Sequence, residues 1–192
     1  MDRLAVGFAG WIRRVGDCCC GRRLAWRSLT ALPSERGIMG DQVVVTKDIP
    51  APAVTVWALV SDLPRMGEWS PENRGGQWVK GATGPVAGAR FKGENANGAK
   101  SWSTDAKVVD ADPGRRFSFL VTVGPIKIAK WEYDFEDTAD GCRVTETWTD
   151  QRNWLAKKAG GKASGVSDRG EHNRQGMEKT LDRIAATATA VS

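Results

Sequence analysis

Histidine and tyrosine each occur once in the 192 residues, as His172 and Tyr133. One histidine excludes a metal centre built on several, and it weakens any Ser-His or Cys-His triad. Cysteine is scarce as well: Cys18, Cys19 and Cys20 form one triplet, and Cys142 falls far away on a predicted strand. No second ligand pair stands at zinc spacing, so no metal is expected. No disulfide framework or secretion signal is evident either, which makes the cytoplasm the default compartment. Long apolar runs are missing. The longest, Leu4 to Ile12, ends in Arg13-Arg14, far short of the roughly 20 residues a membrane span needs. Arg14 to Arg23 offers no apolar stretch and no small-residue cleavage site. A twin-arginine signal would need its apolar stretch after the pair, where this chain has Val15-Gly16-Asp17-Cys18-Cys19-Cys20. Phosphate-binding loops are also lacking. Gly81-Ala82-Thr83-Gly84-Pro85 has neither the lysine nor the following helix, and no cofactor is expected.

Lysine is absent from the first 38 residues, which hold seven arginines against Asp2, Asp17 and Glu35, a net +4. The other 154 residues carry 21 cations and 20 acids, a net +1. The total of +5 therefore sits mostly in a short leader. An Arg-rich arm can touch a membrane surface or a nucleic acid. The simpler reading is a disordered extension over 1–38, or an over-extended translation start with Met39-Gly40 as the natural beginning. A domain of net +1 gives no reason to expect a nucleic-acid partner. Length and 41% hydrophobic content suit one globular domain over residues 39–192.

What is abundant is tryptophan. Nine are present, seven of them after residue 38. Trp buries a large apolar surface and keeps one donor, so this number predicts a bulky core or an aromatic-lined pocket.

Gln42 to Asp48 is β-branched and predicts a strand. Pro50 and Pro52 break it. Val54, Trp57, Ala58 and Ser61 then fall on one helical face, and a second short helix or turn runs from about Leu63 to Trp69. From Gly76 onward, turn signals recur at Gly81 to Gly88, Asn97-Gly98, Asp112-Pro113-Gly114, Gly124-Pro125 and Asp140-Gly141. Between them lie strands near 75–80, 89–96, 101–110, 115–123, 126–136 and 142–149, joined by short turns as an antiparallel meander. Gly160-Gly161 and Gly165 predict a flexible linker. Ser167 to Ala190 predicts one long helix capped by Ser167. Asn173, Gly176, Met177, Thr180, Leu181, Ile184 and Ala188 lie on its apolar face. The fold class is therefore α+β: a seven-stranded antiparallel sheet curled around a long C-terminal helix, with two short helices after the first strand.

Several stretches resemble one superfamily. They are Asp48-Ile49-Pro50-Ala51-Pro52 leading to Val56–Asp62, Glu68-Trp69-Ser70-Pro71, and Val108–Phe117. Gly141–Glu146 and Asn173–Met177 with Thr180-Leu181 complete the set. Over roughly residues 42–187 the chain resembles the START/Bet v 1-like superfamily (SRPBCC), in its polyketide cyclase/dehydrase and lipid-transport branch. The resemblance implies a helix-grip fold with a deep cavity between sheet and long helix, which makes residues 39–192 a ligand-binding domain. It says little about chemistry, because members bind lipids, sterols, polyketides or hormones and only some are enzymes.

Strand alternation proposes the cavity lining. Trp57 or Trp69 would close one end. Phe91 and Asn95, Trp102 and Thr104, Phe119 and Val121, and Trp131 and Tyr133 come from successive strands. Val144, Glu146 and Trp148 come from the last. Gly176, Met177 and Thr180 would form the roof. The competing reading is that these aromatics fill a core. Glu146 and Tyr133 are the candidate catalytic pair, because a carboxylate facing an aromatic pocket has a raised pKa and suits acid-base work. Two alternatives stay open for Glu146: an opposite register that leaves it in solvent, or pairing with Arg90. His172 lies slightly off the apolar face of the last helix and is expected in solvent. Trp154-Leu155, in the loop before that helix, can gate the cavity or touch a membrane.

The expected function is binding or carriage of a hydrophobic small molecule, lipid or polyketide-like. The alternative is a polyketide aromatase/cyclase or dehydratase using the cavity carboxylate. Partners beyond the ligand are at most a transient membrane contact, with the protein a monomer or homodimer.

Overall fold

The computed structural model describes residues 42–191. The leader over residues 1–38, with its arginines and cysteine triplet, lies outside the described residues. In chain order the elements are β1 (Gln42–Ile49), α1 (Ala53–Ser61), a 3₁₀ helix (Leu63–Glu68), β2 (Asn73–Val79), β3 (Arg90–Asn97), β4 (Lys100–Asp112), β5 (Arg116–Val123), β6 (Ile126–Thr138), β7 (Gly141–Asp150), α2 (Trp154–Ser164) and α3 (Arg169–Val191).

The strands form one seven-stranded antiparallel sheet in the order β1-β7-β6-β5-β4-β3-β2. A ten-residue loop over 80–89 joins β2 to β3, and turns of two or three residues join β3 through β7. The first connection differs. It runs through α1 and the 3₁₀ helix and carries the chain from one sheet edge to the other. The long strands β4 and β6 bend at register shifts against β5, beside Val109 and Ile128. Such bulges add twist and curl, and the concave face wraps α3.

One end of that concavity is packed solid. Val56 and Val60 of α1, Phe117, Phe135, Val144, and Leu181, Ile184 and Ala188 of α3 form its core. Toward the other end the filling thins to Ala129, Trp148 and Met177. The unfilled volume lies there.

Three local expectations change. The buried face of α1 is Ala53, Val56 and Val60, with Val54 and Ala58 exposed. That stripe also fits i, i+3, i+7, so spacing alone does not choose between the two. The linker at Gly160-Gly161 is instead helical. Asn153 caps α2 by accepting from the Ala156 N–H at 2.9 Å, and the helix stops at Gly165 in a left-handed conformation (φ 72°). Two glycines cost such a helix about 2 kcal/mol relative to alanine. Contacts offset this, among them the Asn97 amide donating to the Ser164 carbonyl at 3.0 Å. Finally, α3 is capped by Asp168, whose Oδ1 accepts from the Glu171 N–H at 3.0 Å, one residue after the expected Ser167. No helix among the described residues is long and apolar enough to cross a membrane.

Candidate functional site: a cavity with a lone buried carboxyl

Between the sheet and α3 lies a cavity of about 360 Å³, at the small end of the usual range for ligand pockets. Its wall contains Phe91 and Asn95 of β3, Trp102 and Thr104 of β4, Phe119 and Val121 of β5, and Trp131 and Tyr133 of β6. Glu146 and Trp148 of β7 complete the sheet side, and Gly176, Met177 and Thr180 of α3 lie above. Alternation places them together because every strand turns the same face toward α3.

Two residues expected to close the cavity do not line it. Trp57 stands edge-on to Phe117, ring centroids 6.3 Å apart, and its Nε1 donates to the Arg116 carbonyl at 3.0 Å. Trp69 is buried, and its Nε1 donates to Thr187 Oγ1 at 3.1 Å. Both close the packed end of the fold instead, Trp57 from α1 against β5 and Trp69 against the C-terminal half of α3, while Leu63 and Met66 of the 3₁₀ helix line the cavity. Val144 is likewise core rather than lining.

Glu146 and Tyr133 lie directly opposite each other in the β6–β7 ladder. The Tyr133 hydroxyl donates to Glu146 Oε1 at 2.7 Å. Glu146 is 1% exposed, and Oε2 is buried with no hydrogen-bond partner among the described residues. Neither alternative for Glu146 holds. Its register points inward, and its partner is Tyr133 while Arg90 is exposed. Burial pushes the Glu146 carboxyl up to about 7, against the hydrogen bond from Tyr133, which lowers it. Burial, then the neighbouring Glu146, pushes the Tyr133 hydroxyl well above its ordinary value. Glu146 therefore changes charge near neutrality while Tyr133 stays a donor.

A second polar row crosses the β2–β4 side. The Asn73 amide reaches Asn95 Oδ1 at 3.5 Å, and the Asn95 amide donates to Thr104 Oγ1 at 3.2 Å.

Spacing along the chain missed the residues at the rim. Glu72 receives Arg169 Nη1 at 2.8 Å and meets His172 Nε2 at 2.8 Å. His172 thus borders the cavity and is only partly exposed, rather than fully solvated. Arg152 grips Asp150 through Nε and Nη2 at 2.9 and 2.8 Å. Burial raises the Asp150 carboxyl, but Arg152 overrides it and holds the group below its ordinary value. The α2 face toward the cavity is Ala156, Gly160, Ala163 and Ser164. Their i, i+4, i+7, i+8 spacing was a readable helical signal that the glycines obscured. Among the described residues no group of His, Cys, Asp and Glu is placed to hold a metal ion.

This geometry has relatives. A family model described as polyketide cyclase / dehydrase and lipid transport matches residues 41–189, and the chain belongs to that family. It is similar to a polyketide-cyclase-like protein from Corynebacterium glutamicum solved by solution NMR. That pair is 30% identical, with 81% of this chain and 93% of that chain covered and a TM-score of 0.51. A crystal structure from Mycobacterium smegmatis shares the fold at 17% identity, covering 79% and 93%, with a TM-score of 0.55. So does the di-domain ARO/CYC StfQ of the steffimycin biosynthetic pathway, at 12% identity and a TM-score of 0.61; 78% of this chain aligns with 51% of that one. No curated protein matches the chain.

Proposed function

We propose that this member of the polyketide cyclase / dehydrase and lipid transport family binds a hydrophobic small molecule between the sheet and α3, and carries it. The observation that supports this reading most is the unpartnered Glu146 Oε2 in a largely apolar cavity whose other inward polar groups, Asn95 and Thr104 among them, hydrogen-bond one another. A buried acceptor without a partner costs about 1–3 kcal/mol. A ligand hydroxyl, or a ligand carbonyl facing the protonated acid, removes that cost. The ligand class that fits is a lipid or polyketide-like molecule with an oxygen along an apolar body.

Native mass spectrometry of the full chain tests this reading. A co-purifying apolar adduct, or displacement of an apolar fluorescent probe, is expected. Gly176→Phe should abolish both. A Cβ at Gly176 meets only Pro71 Cγ, at 3.8 Å, so the ring enters the cavity while the helix stays intact. Absence of adduct and probe binding in the parent protein overturns the proposal.

One observation favours a second reading, in which the protein is a cyclase or dehydratase. A carboxyl near 7 can take and return a proton at neutral pH. Tyr133 holds Oε1, so Oε2 is the exchanging atom. Glu146→Gln should then abolish turnover of a poly-β-ketone substrate while leaving probe binding intact. Retained turnover rejects this reading and leaves carriage untouched.

A further inference from the structure

Exposed lysines without an ion-pair partner among the described residues gather at one end of the fold. Three stretches meet at the cavity end of the sheet: residues 95–104 around the β3–β4 turn, 121–131 around the β5–β6 turn, and 151–167 with α2. The Gln151 N–H donates to the Ile128 carbonyl at 3.0 Å, joining the second stretch to the third. Asn97 to Ser164, and the Lys100 ammonium on the Lys162 carbonyl, join the first to the third. Together these stretches carry seven lysines and arginines and no aspartate or glutamate. The remainder of 39–192 has fourteen cations against twenty acids, a net −6. Lys130, Arg152 and Lys157 have acidic partners just outside the stretches. Lys100, Lys127, Lys158 and Lys162 have no ion-pair partner among the described residues and are exposed.

Apolar groups stand among these cations. Trp154 is 73% exposed and Leu155 57%, with Val123 and Ile126 nearly half exposed on the neighbouring turn. Helical spacing sorts α2 into two faces. Ala156, Gly160, Ala163 and Ser164 cover the cavity, while Trp154, Leu155, Lys158 and Lys162 look away from it. On that outer face Trp154 and Leu155 can enter an interface while the lysine stems snorkel toward headgroups.

We infer that this end of the protein docks on an anionic lipid bilayer, with Trp154 and Leu155 entering the interface and Lys127, Lys158 and Lys162 facing the headgroups. Exposed Leu, Ile and Val gain nothing on a phosphodiester backbone, which favours the bilayer over nucleic acid. The consequence follows from the second face of α2. The inner face of α2 lines the cavity, so docking through its outer face brings the bilayer within one helix of the ligand space. The docking surface rests on surface chemistry and stands apart from the ligand reading.

Cosedimentation of the full chain with vesicles tests it. Binding is expected to mixed phosphatidylcholine–phosphatidylserine vesicles and to weaken with salt, with little binding to phosphatidylcholine alone. Lys158→Gln with Lys162→Gln should lower partitioning about thirtyfold, from the usual contribution of each basic residue near an anionic surface. Trp154→Ser with Leu155→Ser should remove the salt-resistant part. Residues 1–38 are the same in every variant, so the differences report this face alone. All four positions are exposed, and unchanged circular dichroism verifies the fold. Equal partitioning of parent and lysine variant, equal binding to both vesicle types, or binding to duplex DNA but to no vesicle overturns the proposal.

Discussion

Glu146→Gln is expected to stabilise the ligand-free protein by about 3 kcal/mol above pH 8 and to leave its stability nearly unchanged near pH 4. The sign follows from linkage. An unfolded glutamate titrates near 4.5, whereas burial raises the folded Glu146 to about 7. Between those values the native state holds a proton that the unfolded chain has released. The contribution of Glu146 is thus fully present below the unfolded value and is lost as pH rises through the folded one. At about 1.36 kcal/mol per pKa unit, a shift from 4.5 to about 7 amounts to roughly 3 kcal/mol. Glutamine has the same shape and never ionises, and its carbonyl still accepts from Tyr133. Urea unfolding of both proteins at several pH values between 4 and 8.5 is the measurement. The curves should converge in acid and diverge in base. Parallel curves would mean that Glu146 is solvated or already paired.

The same residue shows how far local pattern reaches. Alternation leaves only two choices for Glu146, and the register that turns the aromatics of β6 and β7 inward is the one that also buries Tyr133 and Glu146. Their mutual hydrogen bond is not legible in the same way. The Asp140-Gly141 turn signal counts Tyr133 opposite Trp148, and the actual two-residue turn at Ala139-Asp140 sets it opposite Glu146. What could not be read were contacts made by distant segments. Glu72 meets His172 across 100 residues, and the indole of Trp69 finds Thr187 across 118. No spacing rule encodes such pairs, so the sequence pattern alone puts His172 in solvent and Trp69 at the cavity. Helix α2 failed for another reason. Its glycines speak for a linker, and the contacts that override them, Asn97 on Ser164 and Lys100 on Lys162, come from another hairpin. Charge was legible only as a sum. The near-neutral total for residues 39–192 was correct, yet the fold gathers seven of the cations at the cavity end.

Gly141→Ala is expected to destabilise the protein by about 3 kcal/mol or more, because backbone strain and overpacking act together there. Gly141 opens β7 at φ 150°, a conformation that side chains rarely adopt. An added Cβ would stand 2.2 Å from the Ile49 carbonyl oxygen, 2.7 Å from the Ala51 nitrogen and 2.8 Å from Pro50 Cα. All three are backbone atoms of the corner between β1 and α1. That corner cannot yield, since the Ala51 N–H already donates to Ile49 O at 2.8 Å and Ile49 pairs with Cys142 in the ladder. Gly124→Ala is the control. Its φ of 56° is also left-handed, but open space surrounds it, so strain alone should cost about 1–2 kcal/mol. Denaturant midpoints of the two variants separate collision from strain, and equal losses would refute the collision. The effect should also reach the cavity. If β7 escapes the clash by slipping one residue against β6, its side chains exchange faces and Glu146 turns to solvent. The surviving fold would then lose the pH-dependent stability that a buried Glu146 confers.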